Sequence, residues 1–203
     1  MTNLVLATRN LGKIKEIRSL LSDLPLNLLT LSDFSGLPEV VEDQETFAGN
    51  ATKKASAIAR ACGEITLADD SGLEVEALGG LPGVRSARFA GPGAGDQANN
   101  RLLLKMLTGC PPEERKAVFR CVIAIYIPGG KTYLVKGNCP GRIAEQPRGT
   151  LGFGYDPLFY YEPAGLTMAE MDPQDKNLVS HRGQALRRAY RLIKYFLFYR
   201  RPV

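Results

Sequence analysis

The sequence predicts an α/β fold in which a central mixed sheet is flanked by helices. In the N-terminal half, short apolar runs alternate with segments of helical periodicity, which is typical of parallel strands joined by helices. From residue 117 to residue 127, strict alternation of apolar residues is followed by a Gly129-Gly130 turn, which indicates an antiparallel hairpin. The length of 203 residues fits a single domain over residues 1–203.

The first three elements follow from short apolar patterns. Residues 4–7 are predicted to form a buried strand, and residues 8–13 form the loop that leaves it. A helix comes next because apolar residues recur at helical spacing: Ile14, Ile17, Leu20 and Leu21. A second strand is predicted over residues 26–31, so the chain begins with a strand, a helix and a strand.

Capping residues delimit the next two helices. Thr46 is expected to cap a helix that runs to about Ala61, with Gly63 at its C-terminal end. Asp96 is expected to cap a second helix that runs to Leu107.

The second half of the chain is predicted to contain further strands and a final helix. The predicted strands cover residues 117–127, 132–135, 142–144 and 158–161. Ser180 is expected to cap a C-terminal helix that runs to about Tyr199.

The most informative segment is Leu67-Ala68-Asp69-Asp70-Ser71-Gly72. The apolar residues 65–68 predict a buried strand that stops at the two aspartates, before a turn at Ser71-Gly72. Ligand chemistry in open α/β sheets lies at such strand ends. The adjacent carboxylates repel each other, and a divalent cation would relieve that repulsion because hard cations bind carboxylate oxygens. A solvated turn with an aspartate helix cap is the alternative.

The loop over residues 8–13 joins a strand to a helix, so its backbone N–H groups would point out of a helix N-terminus beside Lys13. Such an arrangement binds phosphate. It is not a P-loop, because Ala7 and Ile14 stand where that motif needs Gly and Ser or Thr. A plain connecting loop is the alternative.

Two further segments contain side chains that could bind a nucleobase. Residues 152–157 place Phe153, Tyr155 and Asp156 between glycines, and aromatic rings provide stacking surfaces. His181, the only histidine, stands beside Arg182. Since nothing resembles G-x-S-x-G, these residues belong more plausibly to a set of hydrogen-bond donors than to a covalent hydrolase. A hydrophobic turn and a structural histidine are the alternatives.

Composition narrows the classes of protein. The formal net charge of +5 would suit an anionic ligand, although it is also common among proteins. The four cysteines are far apart and form no C-x-x-C, so a zinc site is not expected. No signal sequence and no membrane-spanning apolar run is present, so a cytoplasmic protein with reduced thiols and no membrane partner is expected.

Taken together, these segments resemble the non-canonical purine nucleoside triphosphate pyrophosphatases, also called inosine/xanthosine triphosphate pyrophosphatases. The matching stretches cover residues 6–13, 46–51, 68–73, 79–88, 152–156 and 180–186, in the order in which the family has them. The resemblance extends over nearly the whole chain. Each stretch alone is a weak signal, and six in order are highly specific.

The resemblance implies an elongated α/β fold with a central mixed sheet and two lobes with the active-site cleft between them. It implies a homodimer, dependence on Mg²⁺, and hydrolysis of ITP, dITP and XTP to the monophosphate and pyrophosphate. The residues that would cradle the triphosphate are Thr8, Arg9, Asn10, Leu11, Gly12 and Lys13. Asp70 would be the general base, and Ser71 would touch substrate. The residues that would hold the purine are Phe153, Gly154, Tyr155, Asp156, Lys176, His181 and Arg182.

The chemical properties of these residues agree with the activity that the resemblance implies. Cleavage of a triphosphate at its α-phosphorus needs a metal on the phosphate oxygens, an activated water and cations for the leaving pyrophosphate. Asp69, Asp70 and Glu42 can supply the metal ligands and the base, and Lys13 can supply positive charge.

The chain departs from the family pattern at a few positions. Arg9 stands where the family often has glycine, and Gly49 stands where it usually has glutamate. The family's usual Glu-Glu-Thr-Gly is replaced by residues 41–45.

Two other functions are compatible with parts of the pattern. One is a pyrophosphatase of similar architecture that acts on pyrimidine or modified nucleotides. The other is a basic nucleic-acid-binding protein. The adjacent aspartates argue against the second, since acidic groups in a binding groove repel phosphate, so no nucleic-acid partner is expected.

Overall fold

The computed structural model describes residues 2–198, which form seven strands and five α-helices. The strands are β1 (Thr2–Leu6), β2 (Leu26–Thr30), β3 (Ile65–Val75), β4 (Lys116–Ile127), β5 (Lys131–Ile143), β6 (Phe159–Tyr161) and β7 (Leu166–Thr167). The helices are α1 (Leu11–Leu20), α2 (Phe47–Cys62), α3 (Asp96–Met106), α4 (Pro173–Val179) and α5 (His181–Phe198). The predicted end of the last helix at Tyr199 lies outside the described residues.

The seven strands form one sheet in the order β2-β1-β3-β4-β5-β6-β7. β1 pairs in parallel with β2 and with β3, whereas β6 pairs antiparallel with β5 and with β7. The predicted mixed sheet with flanking helices is therefore confirmed.

Contacts group the described residues into two compact units. Unit 1 comprises residues 2–70, 121–137 and 183–198, and unit 2 comprises residues 71–120 and 138–182. The core of unit 1 is built by β1, α1, β4 and α5 and includes Leu6, Ile17, Ile123 and Leu186. The core of unit 2 includes Leu73, Leu103, Phe119, Phe159 and Met168. The single domain predicted for the whole chain stays a prediction.

The ends of α2 follow the sequence closely. The Thr46 side chain accepts a hydrogen bond from the Gly49 backbone N–H at 3.0 Å, which is the expected N-cap. Gly63 ends the helix with φ of +73°, a left-handed conformation that glycine adopts without strain. Both predicted caps are confirmed.

The predicted end of the third strand at the aspartates is wrong, because β3 continues through them to Val75. Asp69 and Asp70 are only 1% and 4% exposed, so the segment is a buried strand and not a solvated turn. Adjacent side chains in a strand point to opposite faces of the sheet. Each carboxylate therefore meets its own lysine, Lys13 or Lys54, and the two charges need not face one shared cation.

Two other expectations change, and two short elements were not predicted. The predicted strands at residues 132–135 and 142–144 are parts of one strand, β5. Asp96 is the first residue of α3 and does not cap it, because Gly95 occupies the N-cap position. The short elements β7 and α4 were not predicted, since two and seven residues are too few to show a clear period.

The four cysteines are free thiols. Cys121 lies in the core of unit 1, and Cys139 lies in the core of unit 2. Among residues 2–198, no helix is long and apolar enough to cross a membrane.

Candidate active site

The predicted site residues fall into two groups, one in each unit. In unit 1, the chain leaves β1 at Leu6 and enters α1 at Leu11. The Asn10 side chain caps α1 by accepting a hydrogen bond from the Lys13 backbone N–H at 3.0 Å. The Asn10 backbone N–H donates to the Thr8 hydroxyl at 3.2 Å. This exposed helix start has the geometry that binds an anion.

Asp69 is held by two groups of unit 1. One of its carboxylate oxygens forms an ion pair with the Lys13 ammonium. The other accepts a hydrogen bond from the Cys121 thiol at 2.9 Å. Asp69 thus connects Lys13, in the first turn of α1, to Cys121 of β4.

Asp70 lies beside Lys54, a residue that the sequence analysis missed. The Lys54 ammonium is 3.8 Å from the Asp70 carboxylate and 2.5 Å from that of Glu42. It also donates to the Asp69 carbonyl oxygen at 2.7 Å. A signal for Lys54 was present, because Phe47, Asn50 and Lys54 recur at helical spacing on the buried face of α2.

Two of the departures from the family pattern contact each other. A Cβ at Gly49 would lie 2.8 Å from the Cβ of Gln44, which is too close for a real side chain. The Gln44 backbone N–H also donates to the Asn50 side chain at 2.9 Å, and this bond fixes the segment that carries Glu42. Glycine therefore fits at position 49, because any residue with a Cβ there would meet the Cβ of residue 44.

The environment of Asp70 changes its acidity. Burial raises the pKa of Asp70 from 3.8 to about 6, and the nearby charge of Glu42 adds to the increase while Lys54 and Lys13 oppose it. The Oδ2 atom of Asp70 is buried and has no hydrogen-bond partner among the described residues. A carboxylate with a pKa near 6 is ionised at neutral pH and still basic enough to accept a proton.

The donor set suits a metal that takes few ligands from the protein. No group of three or more His, Cys, Asp or Glu side chains in the described part of the chain could hold a metal by itself. Mg²⁺ is usually bound by one or two carboxylates together with waters and substrate phosphates. The unpartnered Oδ2 of Asp70 and the nearby Glu42 carboxylate fit this requirement.

A pocket of about 220 Å³ opens in unit 1 beside these groups. Its polar lining is provided by Thr8, Arg9, Glu39, Glu42 and Lys54. Two of the six predicted phosphate-binding residues, Thr8 and Arg9, therefore line one pocket together with the predicted metal ligand Glu42.

The raised pKa of Asp70 predicts an unusual dependence of stability on pH. Between pH 3.8 and about 6 the folded protein holds a proton on Asp70 that the unfolded chain has lost, so stability decreases as pH rises through this window. Above it, ionised Asp70 destabilises the metal-free fold by up to roughly 3 kcal/mol, since one pKa unit corresponds to about 1.4 kcal/mol.

Asp70→Asn should therefore be more stable than the wild type at about pH 8 in EDTA, and this difference should shrink towards pH 5. Urea unfolding of both proteins at the two pH values measures it. An Asp70→Asn protein that is less stable at the higher pH would contradict the burial of an ionised carboxylate.

In unit 2, Asp156 organises the predicted base-binding segment. One of its carboxylate oxygens accepts hydrogen bonds from the Phe153 backbone N–H at 2.8 Å and from the Lys176 ammonium at 2.7 Å. A Cβ at Gly152 would lie 2.1 Å from the same oxygen, so only glycine fits there. The Phe153 ring lies against two cations, with Lys176 at 5.0 Å and Arg182 at 5.4 Å from its centroid.

Arg182, His181 and Tyr155 are also buried in unit 2. Arg182 donates to the Ser71 hydroxyl at 2.8 Å, and the His181 ring stacks on Phe119 with centroids 4.5 Å apart. Tyr155 is 5% exposed, and its hydroxyl donates to the Ser86 carbonyl at 2.9 Å. Burial raises the pKa of Tyr155 above its ordinary value. The Tyr155 ring therefore belongs to the core of unit 2.

Known proteins are similar to this chain over nearly its whole length. The model of the Ham1 family matches residues 4–192. A dITP/XTP pyrophosphatase of Geobacter sulfurreducens is 56% identical over 92% of this chain and 94% of its own length. One from Bacillus subtilis is 43% identical over 96% of this chain and 98% of its own. A solved HAM1 protein from Coxiella burnetii shares the fold with a TM-score of 0.88 and 41% identity, covering 96% of this chain and 99% of the other.

Proposed function

Because the chain belongs to the Ham1 family, we propose that it hydrolyses ITP, dITP and XTP to the monophosphate and pyrophosphate. The protein is then a nucleoside triphosphate pyrophosphatase, a hydrolase of phosphoric anhydrides that removes non-standard purine nucleotides. The observation that carries the proposal is the charge group of Asp70, Lys54 and Glu42, in which Asp70 and Lys54 are buried and Glu42 is half-buried. Glu42 and Lys54 line one pocket with Thr8 and Arg9, and Asp70 lies 3.8 Å from Lys54, so a base and a cation stand next to the residues that are proposed to bind the triphosphate.

In unit 1, the residues from Thr8 to Lys13 bind the phosphates, and Asp70 is the general base. Asp70 accepts a proton from water, the water oxygen bonds to the α-phosphorus, and the bond to the bridging oxygen breaks so that its electron pair leaves with pyrophosphate. Lys13 and Lys54 stabilise the charge of the leaving group. The side chains of Lys13, Lys54 and Asp70 each form an ion pair.

Glu42 and Asp70 would hold Mg²⁺, which when bound supplies positive charge to the phosphate oxygens. Asp69 stays a predicted third ligand. Its carboxylate oxygens contact Lys13 and Cys121, and these contacts favour a role in orienting the Lys13 ammonium.

In unit 2, Lys176, Arg182 and His181 recognise the purine as hydrogen-bond donors, and Phe153 stacks on it. Ser71 orients Arg182 through their hydrogen bond. The contacts of Tyr155 with the core support a role in holding the loop, with substrate contact left to its neighbours Phe153, Gly154 and Asp156.

The identity of the products tests this function. ITP should give pyrophosphate and IMP as the sole products, because attack occurs at the α-phosphorus. EDTA should abolish activity and Mg²⁺ should restore it, since the metal would supply positive charge to the phosphate oxygens. Chromatography identifies the nucleotide product, and separate assays measure pyrophosphate and orthophosphate. The same assays, run with EDTA and then with Mg²⁺, measure the dependence on the metal. Stepwise release of orthophosphate from ITP would refute the mechanism.

We also propose that the protein is a homodimer in which residues 78–89 contribute to the interface. Leu81 is 42% exposed on a glycine-rich turn, and the resemblance places the dimer contact of the family in this neighbourhood. Light scattering at micromolar concentration should give twice the chain mass of 22.1 kDa. Leu81→Glu should shift the protein towards the monomer, and a wild-type mass of one chain would contradict the proposal.

A further inference from the structure

Both backbone polar groups of Gly154 are bound by side chains of α3. The Gly154 N–H donates to the Asp96 carboxylate at 2.6 Å, and the Asn100 side-chain amide donates to the Gly154 carbonyl oxygen at 3.0 Å. Gly154 has φ of +63°, and it lies between Phe153 and Tyr155 in the predicted base-binding segment. α3 therefore determines the backbone conformation at the centre of that segment.

The same face of α3 holds a second stretch of backbone. The Asn99 side chain accepts a hydrogen bond from the Ala90 N–H at 2.8 Å and donates to the Ala87 carbonyl at 3.2 Å. Asp96, Asn99 and Asn100 are spaced by three and four residues, so they lie on one side of the helix. Asn99 provides a natural comparison, because it binds backbone in the same way but does not contact Gly154.

Asn100 is unfavourable for the stability of the folded protein at its position. It is 9% exposed, and its side-chain oxygen is buried without a hydrogen-bond partner among the described residues. Leaving a buried acceptor unsatisfied destabilises the folded protein, so a residue chosen for stability alone would be apolar here. Its one bond to the base-binding segment is the contribution that offsets this cost.

We propose that Asp96 and Asn100 are positioning residues for purine recognition. They hold Gly154 and thereby fix the Phe153 ring against Lys176 and Arg182, without touching the substrate. This inference rests on the proposed function, because it assigns a purpose to the segment that is proposed to bind the purine.

The first test uses the separation of KM from kcat. Loss of one charge-assisted or buried hydrogen bond corresponds to about 1.4 kcal/mol, or tenfold in binding. Asp96→Ala and Asn100→Ala should each raise KM for ITP about tenfold while kcat changes less than about threefold. Asp96→Asn should restore KM to within about threefold, since its amide oxygen can still accept from Gly154. Asn99→Ala is the matched control and should leave KM for ITP near that of the wild type.

The second test does not depend on activity. Amide hydrogen exchange over residues 152–156 should be faster in Asp96→Ala and Asn100→Ala than in the wild type, while peptides from unit 1 exchange at unchanged rates. Asp96 is exposed, so its alanine variant is expected to fold, and circular dichroism checks this.

The outcomes separate the two proposals. A wild type that hydrolyses ITP, with unchanged KM in both alanine variants, would overturn the role of Asp96 and Asn100. Unchanged exchange at residues 152–156 would also overturn it. A wild type with no activity on any non-standard purine triphosphate would refute the proposed function, and the exchange rates would still decide whether α3 holds the segment.

Discussion

Asp70→Asn is expected to lower kcat for ITP by about 100-fold or more, the range expected when a general base is lost. Asparagine keeps the shape of the side chain but cannot accept the proton of the attacking water. It also removes the buried negative charge that lies beside Lys54 and Glu42. The measurement is pyrophosphate release at saturating ITP and Mg²⁺.

Two comparisons make the Asp70 result specific. Asp43→Asn removes an exposed carboxylate whose contact is a surface ion pair with Lys53, and it should leave kcat within about threefold because such pairs contribute little. Binding of ITP to Asp70→Asn should persist if the metal still enters, because the loop from Thr8 to Lys13 is unchanged. A kcat within a few-fold of the wild type would mean that another group activates the water.

ITP, dITP and XTP are expected to be hydrolysed with a kcat/KM about 10⁴-fold above that of ATP, the range seen when a site leaves buried polar groups unpaired. Hypoxanthine and xanthine have a carbonyl at the purine 6-position, and it accepts hydrogen bonds. Adenine has an amino group there, which donates. Lys176 and Arg182 are donors only, and both are almost fully buried, so adenine would place its amino group against donors and not against acceptors.

A panel of nucleoside triphosphates assayed with one protein preparation measures this selectivity. Hydrolysis of GTP should be weak. Little discrimination between ribose and deoxyribose is expected. Similar kcat/KM values for ATP and ITP would refute recognition by donors.

Arg182→Ala should reduce the ITP/ATP ratio by lowering kcat/KM for ITP more than for ATP. The loss follows from the removal of a donor that lies against the Phe153 ring and is oriented by Ser71. Arg101→Ala, at an exposed position of α3, is the control and should leave the ratio unchanged.

The elements that could be predicted are those whose signals are local. Thr46 and Gly63 determine the ends of α2 through single side-chain and backbone preferences, and the structure shows both. Asn10 was predicted only as part of a loop, yet it caps α1 because α1 begins at Leu11. Hydrophobic periodicity could not reveal that boundary, since Leu11 is exposed and Gly12 and Lys13 are not apolar.

The features that could not be predicted depend on partners far away in the sequence. The sequence predicts that the third strand stops at Asp69 and Asp70, because adjacent charges are rarely buried. They remain inside β3 because Lys13 and Lys54, from two different helices, neutralise them from opposite faces. Both lysines are far from Asp70 in the sequence, so a pattern of neighbouring residues does not reveal these ion pairs. Likewise, the two short strands predicted after Gly130 are joined as β5 because pairing in the sheet overrides their local breaks at glycine and proline.

The placement of the cysteines gives each unit its own chemical reporter. Cys121 is buried in the core of unit 1 and Cys139 in the core of unit 2, and burial raises the pKa of Cys139 to about 12. Neither thiol can react with an aqueous disulfide reagent until its surroundings open. The labelling rates of these two positions, followed by mass spectrometry of peptides, would therefore report the opening free energies of the two cores separately, without a tag or an added fluorophore.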